Sequence, residues 1–165
     1  MPTRNIAEDV DPLALEQQVC FALAVTNRAV LAVYRPLLEP LGLTHPQYLV
    51  MLALWSHPQD SAQPLSVKAI AAMLQMDSAT LSPMLKRLEA IGLITRSRSP
   101  ADERTIQIGL TYEGVALRRE ALKIPPAVVE RLGVDMDELE HLHAVLTRIN
   151  GAALAAGALD AELDR

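Results

Sequence analysis

Cysteine, aromatic residues and long apolar runs are all scarce in this chain of 165 residues. Cys20 is the only cysteine, so an intramolecular disulfide is excluded and the thiol is inert packing, a reactive sensor or a nucleophile. Aromatic residues make up 3% and hydrophobic residues 50%, which favours closely packed helices over a β-sandwich. No apolar run approaches the length of a transmembrane helix, and the acidic N-terminus is unlike a signal peptide. We therefore expect a cytoplasmic protein without a membrane partner.

The formal net charge of −5 argues at first against a nucleic-acid partner. The distribution of charge matters more than its sum, because a binding face is local. Residues 78–98 contain one acid, Glu89, and four basic residues, which are Lys86, Arg87, Arg96 and Arg98. An acidic protein that carries a small basic face is compatible with DNA binding.

Each end of the chain carries the pattern of a long amphipathic helix. Within residues 12–40, six side chains recur at alternating spacings of four and three, which predicts a coiled-coil-like seam: Val19, Leu23, Thr26, Val30, Val33 and Leu37. Pro36 and Pro40 are expected to kink or end this helix. Asp135 and Glu138 resemble a capping box that opens a last helix. That helix repeats the spacing at Leu139, Leu142, Leu146, Ile149 and Ala153.

Residues 44–110 lie between these helices and combine three shorter helices with a hairpin. Thr44 and Ser66 are N-cap candidates for the first two. After the third helix the apolar period changes to alternation, and residues 93–98 and 105–110 predict two β-strands joined by a charged loop. Helix, short helix, turn, helix and hairpin is the order of a winged helix-turn-helix. The predicted fold class is therefore mainly α with a small β-hairpin (α+β).

The third of these helices has the composition of a helix that enters a DNA groove. Leu81, Leu85 and Leu88 form a stripe that is expected to be buried. Small polar and basic residues fall largely on the other side: Ser78, Thr80, Ser82, Lys86 and Arg87. This helix is predicted to begin at Asp77 or Ser78, although Pro83 is tolerated best in a first turn, which favours a later start near Thr80.

Cations on the predicted hairpin extend this basic face. Arg96, Arg98 and Arg104 lie on or near the hairpin, where arginine suits a narrow minor groove. Asp102 lies two residues before Arg104 and is placed to brace the Arg104 guanidinium. For any single residue, a solvated surface charge on a small α+β domain is the simpler interpretation. The ordered set of groups favours DNA binding.

Three motifs in this region resemble the MarR family of transcriptional regulators, and more narrowly its OhrR branch, the organic-hydroperoxide sensors. They are residues 77–89, 92–96 and 102–104. The OhrR pattern Asp-Ser-Gly-Thr-Leu-Thr-Pro-Leu-Leu-Lys is kept here with Ala79 for Gly and Ser82 for Thr. The resemblance extends over about residues 16–125. It implies a homodimer that forms one intertwined domain, with dimerisation helices in residues 12–40 and 111–160. This dimer is expected to bind a pseudo-palindromic operator whose half-sites are ~34 Å apart.

The same resemblance implies a role for the lone cysteine. Val19-Cys20-Phe21 stands where the OhrR branch has Leu-Cys-Phe, whose cysteine reacts with organic hydroperoxide and releases DNA. The reaction requires a thiolate and forms a sulfenic acid that a second thiol can trap. Because the chain has no second cysteine, a small cellular thiol is expected to cap the site, or over-oxidation follows.

Family members activate this cysteine with tyrosines from the partner subunit, and Tyr34 matches one of them. Cys20 and Tyr34 are fourteen residues apart, about 21 Å along a straight helix, so they cannot touch within one subunit. Two family tyrosines are absent, because His45 and Ala24 stand in their places. His45 either donates to the thiolate, with a pH-dependent effect, or is an exposed first-turn residue.

Three functions follow, in order of preference. The first is a repressor that releases its operator when an organic hydroperoxide oxidises Cys20. The second is a MarR-type repressor released by a small aromatic effector, with Cys20 incidental. The third is a thiol-dependent enzyme such as a peroxidase, but no Gly-rich nucleophile turn or third orienting residue is evident, so we expect no enzyme. No cofactor or metal is expected either, because His141 and His143 point to different helix faces.

Overall fold

This computed structural model describes residues 11–58 and 64–159, which form seven α-helices, two 3₁₀ turns (Leu15–Gln17 and Glu39–Leu41) and three short strands. The helices are α1 (Val19–Leu38), α2 (His45–Ser56), α3 (Val67–Leu74), α4 (Ser78–Ala90), α5 (Tyr112–Ala121), α6 (Ile124–Leu132) and α7 (Met136–Ala155). The strands are β1 (Leu65–Ser66), β2 (Ile94–Arg98) and β3 (Ile106–Leu110). Residue 160, the predicted end of the C-terminal helical region, lies outside the described residues.

Helix α1 begins later than the sequence pattern predicts. Asp11 Oδ1 accepts a hydrogen bond from the backbone N–H of Leu13, and Gln18 Nε2 donates to the carbonyl oxygen of Pro12 at 2.7 Å. These local bonds compete with the helical ladder, so the segment forms only a 3₁₀ turn before Gln18 adopts an extended conformation. Pro36 lies inside α1 and does not end it.

The segment Val19–Leu41 is long and apolar enough, by length and composition alone, to cross a membrane. The expectation that no apolar run approaches that length was therefore wrong. The segment escapes a search for unbroken apolar runs because Asn27, Arg28 and Arg35 interrupt it. Only 6% of the residues in its most apolar stretch are buried within the single chain. An apolar helix of this kind either meets lipid or packs against another protein surface.

The central unit, residues 44–58 and 64–110, has its helices and hairpin in the predicted order and contains one strand more than the predicted hairpin. Strands β2 and β3 pair antiparallel with Arg96 opposite Ile108, and β1 adds to the other edge of β3, giving the order β1-β3-β2. Strand β1 has only two residues, too few for an alternating pattern to mark it.

Helix α4 begins at Ser78, one of the two predicted starts, and the later start near Thr80 that Pro83 would favour is wrong. Asp77 is the N-cap, and its carboxylate accepts a hydrogen bond from the backbone N–H of Thr80. Pro83 consequently lies inside the helix, where the lack of one backbone donor is outweighed by the cap and by burial of the leucine stripe.

The C-terminal region contains a helix that the sequence pattern missed. Helix α5 ends at Ala121 and α6 starts at Ile124, with its prolines in the first turn, where the missing N–H groups need no helical acceptor. Asp135 is the N-cap of α7 without a side-chain cap bond, so the predicted capping box with Glu138 is not formed.

The buried core lies within the central unit and under α6. Its fully buried side chains include Met51, Ile70, Leu81, Leu85, Leu88, Ile94 and Ile108. Among the described residues, α1 contributes one buried side chain, Leu38, and α7 contributes none. Val33 and Leu37 of α1 pack against this core, but much of the apolar seam of each long helix remains exposed in the single chain, including Val19, Leu23, Leu142, Leu146 and Ile149.

A close approach of α5 to the sheet joins the central unit to the C-terminal helices. Trp55 Nε1 donates to the carbonyl oxygen of Gly114 at 2.9 Å. Gly114 is buried, and a Cβ atom there would lie 2.1 Å from the carbonyl oxygen of Leu93. Only glycine permits this contact, because the atom in the way belongs to the backbone.

We predict that Gly114→Ala lowers the free energy of unfolding by about 1–3 kcal/mol, the usual penalty of overpacking. Urea unfolding at a fixed protein concentration measures the change. Gly151→Ala is the control, because a Cβ at Gly151 meets nothing within 4 Å. Equal free energies of unfolding for the two variants would contradict the close packing of α5.

Candidate DNA interface and redox site

Helix α4 presents a polar and basic side to solvent because its leucine stripe is held in the core. Leu81, Leu85 and Leu88 are fully buried. Of the predicted DNA-contacting residues, Ser82 is half-buried and four are exposed: Ser78, Thr80, Lys86 and Arg87. Ala79 and Pro83 also face outward, and the sequence argument overlooked them because it considered only polar groups. Apolar side chains at such positions suit contact with a thymine methyl group.

The first turn of α4 is organised by Asp77. Its Oδ1 accepts from the backbone N–H of Thr80 at 2.7 Å, and its Oδ2 accepts from the Thr80 hydroxyl at 2.8 Å. These hydrogen bonds hold the pKa of the Asp77 carboxyl below its ordinary value. The hydroxyl hydrogen of Thr80 is thereby committed, so toward DNA this hydroxyl acts only as an acceptor.

The loop between β2 and β3 is closed by Asp102, but not in the way the sequence predicts. Its Oδ1 accepts from the backbone N–H of Arg104 and its Oδ2 from the hydroxyl of Thr105, both at 3.0 Å. The expected bond to the Arg104 guanidinium is absent, because an aspartate two residues before a backbone N–H closes an Asx turn more readily than it reaches a side chain. The exposed Arg104 side chain is left available at the tip of the loop.

Arg96 differs from the two exposed arginines of the hairpin, Arg98 and Arg104. It shares the face of β2 that carries the buried Ile94, and one guanidinium nitrogen lies 3.8 Å from Glu89 of α4. Its Nε is buried and has no hydrogen-bond partner among the described residues. Arg96 therefore sits in the corner between α4 and the hairpin, a position suited to setting the angle between them.

Cys20 lies in the first turn of α1 and is exposed. Tyr34 lies on the same unbroken helix, about 21 Å further along the helix axis. Within one subunit the structure therefore does not bring Cys20 and Tyr34 together.

Tyr34 and His45, in contrast, are in contact. Their ring centroids are 5.0 Å apart in an edge-to-face arrangement, so His45 is not simply an exposed first-turn residue. The ring centroid of Tyr48 lies 6.1 Å from that of Tyr34 and 6.5 Å from that of His45, and the ring centroids of Tyr48 and Trp55 are 6.5 Å apart. Tyr48 was missed by the sequence argument, although its spacing of three residues from His45 on a helix places the two side chains side by side.

Burial sets the protonation states in this aromatic cluster. It raises the pKa of Tyr34 and lowers that of His45, and it raises the pKa of Tyr48, with Tyr34 adding to that shift. At neutral pH both phenols are therefore protonated and able to donate hydrogen bonds, while His45 is neutral. The pKa shift removes the basis for a charged His45 near neutral pH.

An apolar cavity of about 750 Å³ lies beside Tyr34, between α1, α6 and α7. Leu23, Val30, Val128 and Leu142 are among the side chains that line it. Its size is that of a small-molecule site. In the described part of the chain, no group of three His, Cys, Asp or Glu side chains is arranged to hold a metal ion.

The buried leucine stripe of α4, its exposed polar side and the basic hairpin define a winged-helix DNA-binding regulator. Residues 43–106 match the model of the MarR family. The organic hydroperoxide resistance transcriptional regulator of Bacillus subtilis (strain 168) is 43% identical over 133 residues, covering 79% of this chain and 87% of that protein. The chain belongs to the MarR family. The resemblance to the OhrR branch is confirmed, and the protein is a transcriptional regulator and not an enzyme.

Two solved structures extend the comparison. Reduced AbfR of Staphylococcus epidermidis bound to DNA is 30% identical, with a TM-score of 0.67 and coverage of 85% of this chain and 94% of that one. CouR from Rhodococcus jostii RHA1 bound to p-coumaroyl-CoA is 26% identical, also with a TM-score of 0.67, and covers 83% and 94%. These likenesses confirm the predicted winged helix-turn-helix.

The lowered pKa of Asp77 leads to a prediction about acid stability. A carboxyl group whose pKa is lower in the folded protein stabilises the fold above its unfolded pKa, and this contribution disappears as the pH falls through the folded pKa. We expect the melting temperature of the wild type to fall more steeply than that of Asp77→Asn between about pH 5 and pH 2. Asparagine keeps the cap acceptor but cannot titrate. Parallel melting curves for the two proteins would show that Asp77 makes no such contribution.

Proposed function

We propose that this protein is a homodimeric repressor that binds its operator in the reduced state and releases it when an organic hydroperoxide oxidises Cys20. The observation that carries the proposal is an exposed lone cysteine at the start of α1 in a chain 43% identical to an organic hydroperoxide resistance regulator. The site of action is the cytoplasm, where the operator DNA is.

Operator binding uses α4 in the major groove and the β2–β3 hairpin beside it. The proposed contacts on α4 are Ser78, Thr80, Ser82, Lys86 and Arg87. On the hairpin, Arg98 and Arg104 contact DNA directly, while Asp102 and Arg96 act by position. Asp102 closes the loop that carries Arg104, and Arg96 links the hairpin to α4 through Glu89. Two such units on a dimer read a pseudo-palindromic operator with half-sites ~34 Å apart.

The dimer is proposed to form through the helices of regions 12–40 and 111–160. Exposed apolar residues on both support this arrangement, among them Val19, Leu23, Leu142, Leu146 and Ile149. A second subunit that covers α1 also explains why a helix so apolar is so little buried in one chain. In such a dimer, Tyr34 and His45 of one subunit approach Cys20 of the other, which a single rigid helix cannot achieve.

The chemistry is an oxygen-atom transfer to sulfur. The Cys20 thiolate attacks the terminal oxygen of the hydroperoxide, the one that carries the hydrogen, and the O–O bond breaks. The products are a cysteine sulfenic acid and an alkoxide, which takes up a proton from water to become the alcohol. A small cellular thiol then condenses with the sulfenic acid, forming a mixed disulfide and water. The protonated phenol of Tyr34 supplies a hydrogen bond to the reacting group. Oxidation biases a two-state dimer toward the arrangement in which the two α4 helices no longer fit the operator.

Release by a small aromatic ligand, with Cys20 incidental, is the second candidate. It is favoured by the apolar cavity of about 750 Å³ beside Tyr34 and by the likeness to CouR bound to p-coumaroyl-CoA. Two tyrosines of the OhrR pattern are also replaced here, by Ala24 and His45.

The first test is operator binding by fluorescence anisotropy with DNA from upstream of the protein's own gene. Cumene hydroperoxide is titrated against the wild type and Cys20→Ser, with and without a small thiol. We expect the wild type to release DNA and Cys20→Ser to remain bound, because serine cannot be oxidised. If both variants hold DNA or both respond alike, the redox proposal fails, and release by aromatic acids becomes the function to test.

The hairpin contact is tested with Arg104→Ala. We expect operator affinity to fall about tenfold and the slope of log affinity against log salt to decrease by about one, because a cation close to the DNA is lost. The melting temperature should not change, since the exposed Arg104 side chain makes no ion pair among the described residues. Arg119→Ala, which removes an exposed arginine of α5, is the control. Equal affinities for the two variants would refute a DNA role for the hairpin.

A further inference from the structure

Trp55 is the only tryptophan of the chain, and it lies between the rings of Tyr34, His45 and Tyr48 and the start of α5. On one side its ring meets Tyr48 edge to face, with centroids 6.5 Å apart. On the other side its Nε1 donates a hydrogen bond to the carbonyl oxygen of Gly114 at 2.9 Å. One side chain therefore touches both the aromatic cluster and the helix that follows the hairpin.

Two further hydrogen bonds lead from Gly114 to the end of α4. The backbone N–H of Gly114 donates to Thr111 Oγ1 at 3.0 Å, and this hydroxyl donates to the carbonyl oxygen of Gly92 at 2.6 Å. The backbone N–H of Thr111 also donates to the carbonyl oxygen of Leu93 at 3.1 Å. Gly92 and Leu93 form the connection between α4 and β2. Thr111 therefore fastens the start of α5 to the turn between the DNA-facing helix and the hairpin.

The packing at this joint leaves little room for adjustment. Gly114 is buried against the carbonyl oxygen of Leu93, where even a Cβ atom would lie only 2.1 Å away. The atoms in contact belong to the backbone, so no side chain can rotate to relieve a displacement. Close-packed interiors have low compressibility and transmit strain. A displacement of the Trp55 indole is therefore passed on to the turn after α4.

The other end of the series is equally confined. Tyr48 is only 3% exposed, and its ring centroid lies 6.1 Å from that of Tyr34. Tyr34 belongs to α1, whereas Tyr48 and Trp55 belong to α2. Because the buried Tyr48 ring has no free space to move into, it follows a displacement of Tyr34 and carries it to Trp55.

We propose that Trp55 is a positioning residue, which couples Tyr34 to the turn between α4 and the hairpin through its hydrogen bond to Gly114. The inference rests on the proposed function, because Tyr34 is there the group that meets Cys20 of the other subunit. A change at Tyr34 displaces the rings of Tyr48 and Trp55, and the joint at Gly114 then alters the angle at which α4 and the hairpin meet DNA. No covalent bond changes in this part of the chain.

A series of contacts is a coupling only if changes at its two ends are not independent. A double-mutant cycle measures this directly. Operator affinity is determined by anisotropy for Tyr34→Leu, Trp55→Phe and the double variant, all in a Cys20→Ser background. Trp55→Phe keeps an aromatic ring against Tyr48 and removes the N–H that reaches Gly114.

Tyr112→Phe provides the matched control cycle. It likewise removes one polar donor from an aromatic ring, and Tyr112 is the first residue of α5. Its side chain is 84% exposed and takes no part in the series from Tyr34 to Gly92. If Trp55→Phe prevents folding, Thr111→Val replaces it in the cycle, because it cuts the same series by removing the hydroxyl that joins Gly92 to Gly114.

We expect Tyr34→Leu to weaken operator binding by a factor at least about three times larger in the parent than in Trp55→Phe, since residues of one network are not additive. With Tyr112→Phe, the effect of Tyr34→Leu should equal that in the parent. Emission from the single tryptophan supplies a spectroscopic check. Saturating operator should change the Trp55 emission of the Cys20→Ser protein, because the turn after α4 and the indole move together.

A coupling of less than about threefold in the Trp55 cycle, or one no larger than in the Tyr112 cycle, overturns the proposal. Trp55 emission that does not respond to saturating operator overturns it as well. Failure of the redox proposal is distinguishable, since these assays use no hydroperoxide and the Cys20 thiol is absent from every protein. If the wild type keeps its operator in hydroperoxide while the cycle shows coupling, the redox proposal fails and the role of Trp55 stands.

Discussion

Burial of one leucine stripe on α4 is the constraint on which the rest of the structure depends. Leu81, Leu85 and Leu88 are fully buried, and each contributes about 1.5–3 kcal/mol by leaving water. A helix held on one side in this way can rotate only by exposing that stripe. Its opposite side is therefore presented in a fixed orientation, while the Asp77 cap and the Glu89–Arg96 contact hold its two ends. Core packing thus sets the orientation of the side of α4 that is proposed to contact DNA.

The two long helices differ from α4, because the single chain leaves much of their apolar surface exposed. Leu38 is the one buried residue of α1, and α7 has none among the described residues. In the proposed dimer a second copy covers these seams, and that same copy brings its Cys20 close to Tyr34. Dimerisation and peroxide sensing then share one interface, so a chemical change at sulfur acts directly on the packing that spaces the two α4 helices.

Elements with local signals were predicted well. Thr44 and Ser66 cap the helices that follow them, as predicted, because a cap depends on two or three neighbouring residues. Helix α4 and the β2–β3 hairpin were also found from composition and period. Elements without such signals were missed: β1 has two residues, and α6 begins with prolines that look like a break. The alternative late start of α4 near Thr80 was wrong because the benefit of the Asp77 cap and of burial exceeded the penalty of an interior proline.

The sequence by itself determined the winged-helix order, the family and the single thiol, since each is written in residues close together along the chain. Only the tertiary structure decided which side chains meet. It joined Tyr34, His45, Tyr48 and Trp55 into one aromatic cluster, turned Asp102 toward the backbone rather than the Arg104 guanidinium, and set the Trp55 indole against the carbonyl oxygen of Gly114. The reason is physical: such contacts join distant segments or compete with local bonds, and their outcome depends on how the whole core packs.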